Sequence, residues 1–289
     1  MLSMMSNCFL RVGRFAVFIV LSSGKVVHFI LFCLLSTPLH AHEYWLSPID
    51  YHIEVGEKLI VDIRNGEEFV GSAFPYDSAQ YQSLYVEYNG GKFPVNSRLG
   101  DYPAIHKTLS KSGHYTVALE STERLLTYET WEKFSEFLDY HGLDAFAERH
   151  IESDLPRTNI KEHYYRFAKS LISVSGKNDF GDDSPITDAL NIHGQELEIV
   201  LMDSPYSARS NIRIKLLFKG EPLVDRQVEV FHNDGTVNRT TTITDAKGMA
   251  LINISDKGEY MINAVKLLPS DRAGMHWKSL WSSFTFRRI

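Results

Sequence analysis

The chain has 289 residues, 44% of them hydrophobic, and a formal net charge of −6 from 30 basic and 36 acidic side chains. That length can bury a sizeable core without staples, and the acidic balance argues against nucleic acid as a partner, because such binding rests on basic side chains meeting phosphates.

The first 41 residues have the layout of a secretory signal. Arg11, Arg14 and Lys25 provide a positive flank with no acidic residue, Val26 to Leu35 is apolar, and the small Ala41 occupies the cleavage position. The apolar run is shorter than the roughly 20 residues that a spanning helix needs, so residues 1–41 are expected to be a cleaved signal peptide and the mature protein periplasmic. A retained membrane anchor is the alternative. Both cysteines, Cys8 and Cys33, fall inside the leader. Its removal therefore excludes disulfides, thiolate metal sites and cysteine nucleophiles. It also takes three basic residues and no acidic one, leaving a net charge of −9.

Cleavage after Ala41 makes His42 the first residue. An N-terminal histidine offers its α-amine and imidazole Nδ1 to one metal ion in a closed chelate ring, a grip an internal histidine cannot make. Such a donor pair suits a divalent transition metal that favours nitrogen: Cu(II), Ni(II) or Co(II).

From residue 42 to 126 short β-branched or aromatic segments at 58–63, 83–88 and 115–119 alternate with turn signals at Val55-Gly56-Glu57, Asn89-Gly90-Gly91 and Ser112-Gly113. This pattern predicts an N-terminal β-sandwich. Between 127 and 170 the period changes to that of a mainly helical insertion: Trp131, Phe134 and Leu138 share one helical face, and Gly142 stands where a left-handed cap is wanted. A second short helix buries Leu143, Phe146 and Ala147. Residues 162–174 fit either a strand or a helix, and are read as a helical start running into a strand. Residues 177–188, with Gly, Pro and several aspartates, read as a solvated loop. Strand signals then resume at 196–202, 212–218, 227–231, 240–244, 250–254, 260–265 and 280–286, which makes 171–289 a C-terminal β-sandwich. The expected fold class is mainly β, two immunoglobulin-like or transthyretin-like sandwich units with the helical insertion between them.

Several segments together resemble a known family. They are His42-Glu43-Tyr44-Trp45, Glu162-His163-Tyr164-Tyr165-Arg166-Phe167-Ala168-Lys169, Gly194-Gln195-Glu196-Leu197-Glu198-Ile199-Val200, Leu217-Phe218-Lys219-Gly220-Glu221-Pro222-Leu223, Thr244-Asp245-Ala246-Lys247-Gly248 and Trp277-Lys278-Ser279-Leu280-Trp281-Ser282-Ser283-Phe284-Thr285-Phe286. The chain is similar along its mature length to an exported bacterial family of unknown function, often labelled a periplasmic component of cobalt or nickel ABC transport. The resemblance implies a metal ion as ligand and a metal-transport membrane complex as partner. Two departures stand out: Lys266 where the family strand tends to continue into a histidine, and Tyr140-His141 where acidic residues are more usual.

Among the internal histidines, His114 beside a turn glycine and His276 before the Trp277 motif are the candidates to complete a site with His42. His52, His106, His141, His150, His163, His193 and His232 show no metal-ligand spacing and read as ordinary hydrogen-bonded side chains. Gly-x-Ser-x-Gly, phosphate-cradling glycine loops and His-Glu-x-x-His are lacking from the sequence, which argues against an enzyme. Tyr44, Trp45, Trp277 and Trp281 could stack on a carbohydrate, but large rings are more often core. The expectation is a periplasmic transition-metal-binding protein, accessory to nickel or cobalt uptake, with metal ligands His42, His114 and His276. The alternatives are a non-catalytic envelope binding module and a copper-dependent oxidative enzyme.

Overall fold

The computed structural model describes residues 43–176 and 192–289. The leader, both cysteines, His42 and the loop expected at 177–188 lie outside them. Among the described residues no helix is long and apolar enough to cross a membrane.

The fold is mainly β. The first half carries β1 (Glu43–Pro48), β2 (His52–Glu54), β3 (Lys58–Glu67), β4 (Val70–Phe74), β5 (Tyr81–Tyr88), β6 (Gly91–Pro94), β7 (Ile105–Thr108), β8 (Gly113–Ser121) and β9 (Arg124–Thr130). Two helices follow, α1 (Trp131–Tyr140) and α2 (Ala145–Glu152), and then the long strand β10 (Thr158–Ser175). The second half carries β11 (Leu197–Leu201), β12 (Asn211–Phe218), β13 (Glu221–Pro222), β14 (Gln227–Asn233), β15 (Val237–Ile243), β16 (Met249–Asn253), β17 (Gly258–Pro269) and β18 (Trp277–Arg288).

The expected pair of separate sandwiches is replaced by a shared scaffold. A ten-stranded sheet runs in the order β15-β14-β17-β18-β10-β8-β5-β6, with β2 and β9 also on β10, so strands from both halves belong to one sheet. Two four-stranded sheets accompany it, one of β1, β3, β4 and β7, the other of β11, β12, β13 and β16. Successive side chains of a strand point to opposite faces, and β10 uses both. Phe167 and Leu171 enter the core shared with β11 and β12. Ala168, Ile172 and Val174 enter the core shared with β1 and β3. With both faces covered, residues 167–174 of the strand are an unbroken buried run, the signature of an enclosed strand. The helical start expected at residue 162 is therefore corrected: 158–175 is strand throughout, and the insertion's helices end at Glu152.

The helices cover the remaining stretch of the β1-side face. Thr130 Oγ1 accepts the Lys133 N–H at 3.4 Å to cap α1, and Phe134, Phe137 and Leu138 pack with Trp277 and Trp281. Gly142 has φ +62°, the left-handed cap read from the sequence. A Cβ there would also lie 2.9 Å from Gln227 Oε1. The end of α1 is thereby seated directly on β14.

Candidate functional site

Of the two internal histidines expected to complete a metal site, neither lies with the other. His114, in β8, pairs with Ser173 of β10 and stacks on Tyr206 at 5.3 Å. His276, just before β18, accepts the Lys161 backbone N–H on Nδ1 at 2.8 Å, and its own N–H donates to the Lys161 carbonyl. Lys161 and Ser173 stand twelve positions apart on the continuous strand β10, so the two histidines are separated by about 40 Å at roughly 3.3 Å per residue. They cannot share an ion.

Nor does either lie beside the start of β1. The Tyr44 carbonyl accepts the Ser283 hydroxyl at 2.6 Å, and Ser283 pairs with Ala168. That level lies roughly 15–25 Å along β10 from Ser173 and from Lys161. The set His42, His114 and His276 does not fit one metal centre. Lys266, the other family departure, points its ammonium at the Phe218 ring, 4.6 Å away, and burial lowers its pKa.

What the start of β1 does meet is a buried polar cluster. Glu229, Asn263 and Ser283 are paired across β14, β17 and β18 and form one row on the sheet. His141, the residue that caps α1, reaches into this row: its Nδ1 lies 2.6 Å from Glu229 Oε1. Asn263 Nδ2 donates to Glu229 Oε2 at 2.6 Å, and Gln227 Nε2 donates to Oε1 at 3.2 Å. Arg239 donates to the Tyr140 carbonyl at 2.6 Å, stands 3.4 Å from Glu229, and stacks on the Tyr140 ring. His141 is 3% exposed and Glu229 1%. The edge of the Trp281 ring closes against His141 at 4.8 Å.

Burial, the largest influence, works to raise the Glu229 pKa. His141, Asn263 and Arg239 together outweigh it and hold the carboxyl below its usual value. An ionised carboxylate only accepts, so His141 Nδ1 donates to it, and Nε2 is the ring nitrogen outside that bond. A carboxylate that fixes an imidazole in this way is the usual support behind a metal-ligating histidine.

Glu43 joins the same cluster. It is 1% exposed, accepts the Glu68 N–H at 3.1 Å, and is pushed up to about 8 by burial and by the charge of Glu229. It directly follows His42 in the sequence.

The sequence alone passed over His141 and Glu229. Other internal histidines behave as expected of ordinary side chains: His150 accepts the Trp277 indole N–H and donates to the Pro156 carbonyl, and His163 lies between Glu123 and Ser270. Trp45, Trp277 and Trp281 are core rings, between 1% and 2% exposed, which removes them as a stacking platform.

A family model described as a domain of unknown function, DUF4198, matches residues 39–266. The chain belongs to that family. Nothing in the match links the DUF4198 family to cobalt or nickel transport. No curated protein matches the chain. Among solved structures it is similar to the D0-D1 domain of intimin, with 9% identity, 83% of this chain and 96% of that one covered, and a TM-score of 0.20. It is also similar to a tetra-tandem repeat in the extending region of a large adhesion protein, with 12% identity, 86% and 50% covered, and a TM-score of 0.22. At such scores these likenesses carry no argument about function.

Proposed function

We propose that this DUF4198 protein is an exported, non-catalytic binding protein for a divalent transition metal, acting in the periplasm as an accessory to uptake of nickel, cobalt or copper. The α-amine and imidazole of His42 form the chelate, and His141 Nε2 is the further nitrogen donor in place of His114 and His276. The observation that carries this reading is the buried pair of His141 and Glu229 beside Glu43, the neighbour of His42. Nitrogen donors of this kind favour Cu(II), Ni(II) and Co(II).

The test begins with the intact mass of the exported protein, expected to start at His42, and proceeds to metal titration. His141→Asn keeps a side-chain N–H for Glu229 and removes the Nε2 lone pair. It should weaken Cu(II) or Ni(II) binding at least tenfold, as should His42→Ala. His114→Ala and His276→Ala should leave affinity unchanged. Equal affinity in His141→Asn would remove His141 from the site, and a mass retaining the leader would remove the chelate.

A further inference from the structure

The loop that joins β17 to β18 brings a serine to a buried imidazole. The strand register sets this up: His163 of β10 is paired with Leu125 of β9 on one side and with Lys278 of β18 on the other, and Lys278 is paired with Leu268 of β17. Glu123 stands two positions before Leu125 and Ser270 two positions after Leu268, so the start of β9 and the end of β17 converge on His163. Nδ1 of the ring lies 2.9 Å from Glu123 Oε1, and Nε2 lies 3.0 Å from Ser270 Oγ. Carboxylate, imidazole and hydroxyl follow one another in the order that activates a serine nucleophile.

Each member is itself held. Arg272 forms an ion pair with Glu123 Oε2, and the Tyr165 hydroxyl donates to Oε1 at 3.4 Å. The Arg272 N–H donates to Ser270 Oγ at 3.0 Å. The hydroxyl keeps its own proton to donate, and Nε2 at 3.0 Å is a nearer acceptor than the Arg272 carbonyl at 3.4 Å. His163 is 3% exposed; burial, followed by the Lys278 ammonium, lowers its pKa against the opposing charge of Asp271. The ring is therefore neutral at pH 7.5, and with Nδ1 donating to the Glu123 carboxylate, Nε2 is the nitrogen that accepts.

We propose that Ser270 is an acyl-accepting nucleophile, with His163 as its general base and Glu123 as the positioning residue of the imidazole, and that it takes one acyl group from a thioester or aryl ester. Oγ attacks the acyl carbonyl carbon while His163 Nε2 takes the hydroxyl proton. The bond from that carbon to the leaving sulfur or oxygen breaks, the leaving group departs with the electron pair and receives the proton from Nε2, and an ester of Ser270 remains. Rapid transfer from ordinary esters needs N–H groups aimed at the developing oxyanion, whereas the Arg272 N–H is committed to Oγ, so the acyl donor must carry its own activation. Nε2 faces Oγ and the ring is buried; an acyl group on Oγ lies between this base and water, and the ester persists. The site shares no residue with the cluster of His141 and Glu229, and it is acylated whether or not metal binds.

The test treats the purified, metal-free protein with p-nitrophenyl acetate. A burst of one p-nitrophenol per chain should appear with no turnover after it, intact mass should show a single added acetyl group, and peptide mapping should place it on Ser270. The burst rate should follow deprotonation of an imidazole, with its midpoint below the ordinary value of about 6.5 and a plateau above, whereas acylation of exposed lysines keeps rising towards their pKa of about 10.4. Ser270→Ala should abolish the burst, and His163→Gln should slow it by about a hundredfold or more. Glu123→Gln should slow it and move its pH midpoint down, because a nearby carboxylate favours the charged ring; loss of packing alone would not move the midpoint. If His163→Gln does not fold, Ser270→Ala and the pH profile decide. A burst that survives Ser270→Ala, or acetyl groups found only on lysines, would overturn the nucleophile, and steady turnover that depends on Ser270 would overturn the persistent ester.

Discussion

Glu162→Gln should change the pH dependence of stability in a defined window. Glu162 lies on β10 with no exposed surface; its Oε1 accepts the Ser279 hydroxyl at 2.6 Å and Oε2 the Tyr128 hydroxyl at 3.2 Å. Burial, only partly offset by those two hydroxyls, raises its pKa from 4.5 to about 7. Because the folded protein keeps this proton after the unfolded chain has lost it, stability falls as pH rises from about 4.5 to about 7 and is level beyond. The shift corresponds to about 3 kcal/mol at about 1.4 kcal/mol per pKa unit. Glutamine is neutral in both states, so the variant should match the unaltered protein near pH 4.5 and exceed it by up to about 3 kcal/mol at pH 7.5. For a chain of this size that is roughly 6–12 °C in thermal midpoint. Thermal or urea unfolding of both proteins at pH 4.5, 5.5, 6.5 and 7.5 measures the difference. Taking it between the two proteins cancels the contribution of Glu43, whose pKa moves in the same direction. A difference that does not vary with pH would refute a neutral Glu162.

Gly142→Ala should destabilise the fold by about 1–3 kcal/mol in urea unfolding, since a left-handed φ and a Cβ 2.9 Å from Gln227 Oε1 both oppose it. Lys169→Met leaves the buried Glu198 without its ammonium, now 2.8 Å away, and should cost about 3–5 kcal/mol; adding Glu198→Gln should recover more than half of it. Ni(II) at one hundred times its Kd should stabilise the processed protein by about 2.7 kcal/mol, and calorimetry that shows no shift in Tm would count against the metal site.

The parts of the fold legible in the sequence are those with one apolar face. Residues 58–63 and 212–218 alternate visibly because their other side faces solvent or a polar edge. Trp131, Phe134 and Leu138 mark α1 by their spacing, and Gly142 its end. β10 was ambiguous for the opposite reason: enclosed on both faces, it has no polar side to give a period of two. The continuity of the central sheet was not legible at all, since β10 joins β18 more than a hundred positions away and in parallel.

The site was hidden for a related reason. Val228 and Val230 mark the apolar face of β14, which assigns Gln227 and Glu229 to solvent by default. Local alternation cannot show that a helix end covers that second face. His141 meets Glu229 across 88 positions, so no ligand spacing exists to find. The available signals were Gly142, whose required approach to another segment points to a tightly seated helix end, and the unusual Tyr140-His141 pair in front of it.

A row of polar side chains in the middle of a sheet is stable only where every member is satisfied after the face is covered. Here the cover comes from distant parts of the chain. β1 presents the Tyr44 carbonyl to Ser283, the end of α1 presents His141 and the Tyr140 carbonyl, and β15 presents Arg239. Gln227 and Asn263 occupy most of what Glu229 can accept. The bond to Glu229 needs only one N–H, and the imidazole at position 141 also packs edge to face with Trp281 and Phe137. The ring brings a second nitrogen besides the one bonded to Glu229. The chain delivers Glu43 to the same cluster. The cluster lies at the start of β1, and its buried pair of His141 and Glu229 is the physical basis for the function proposed.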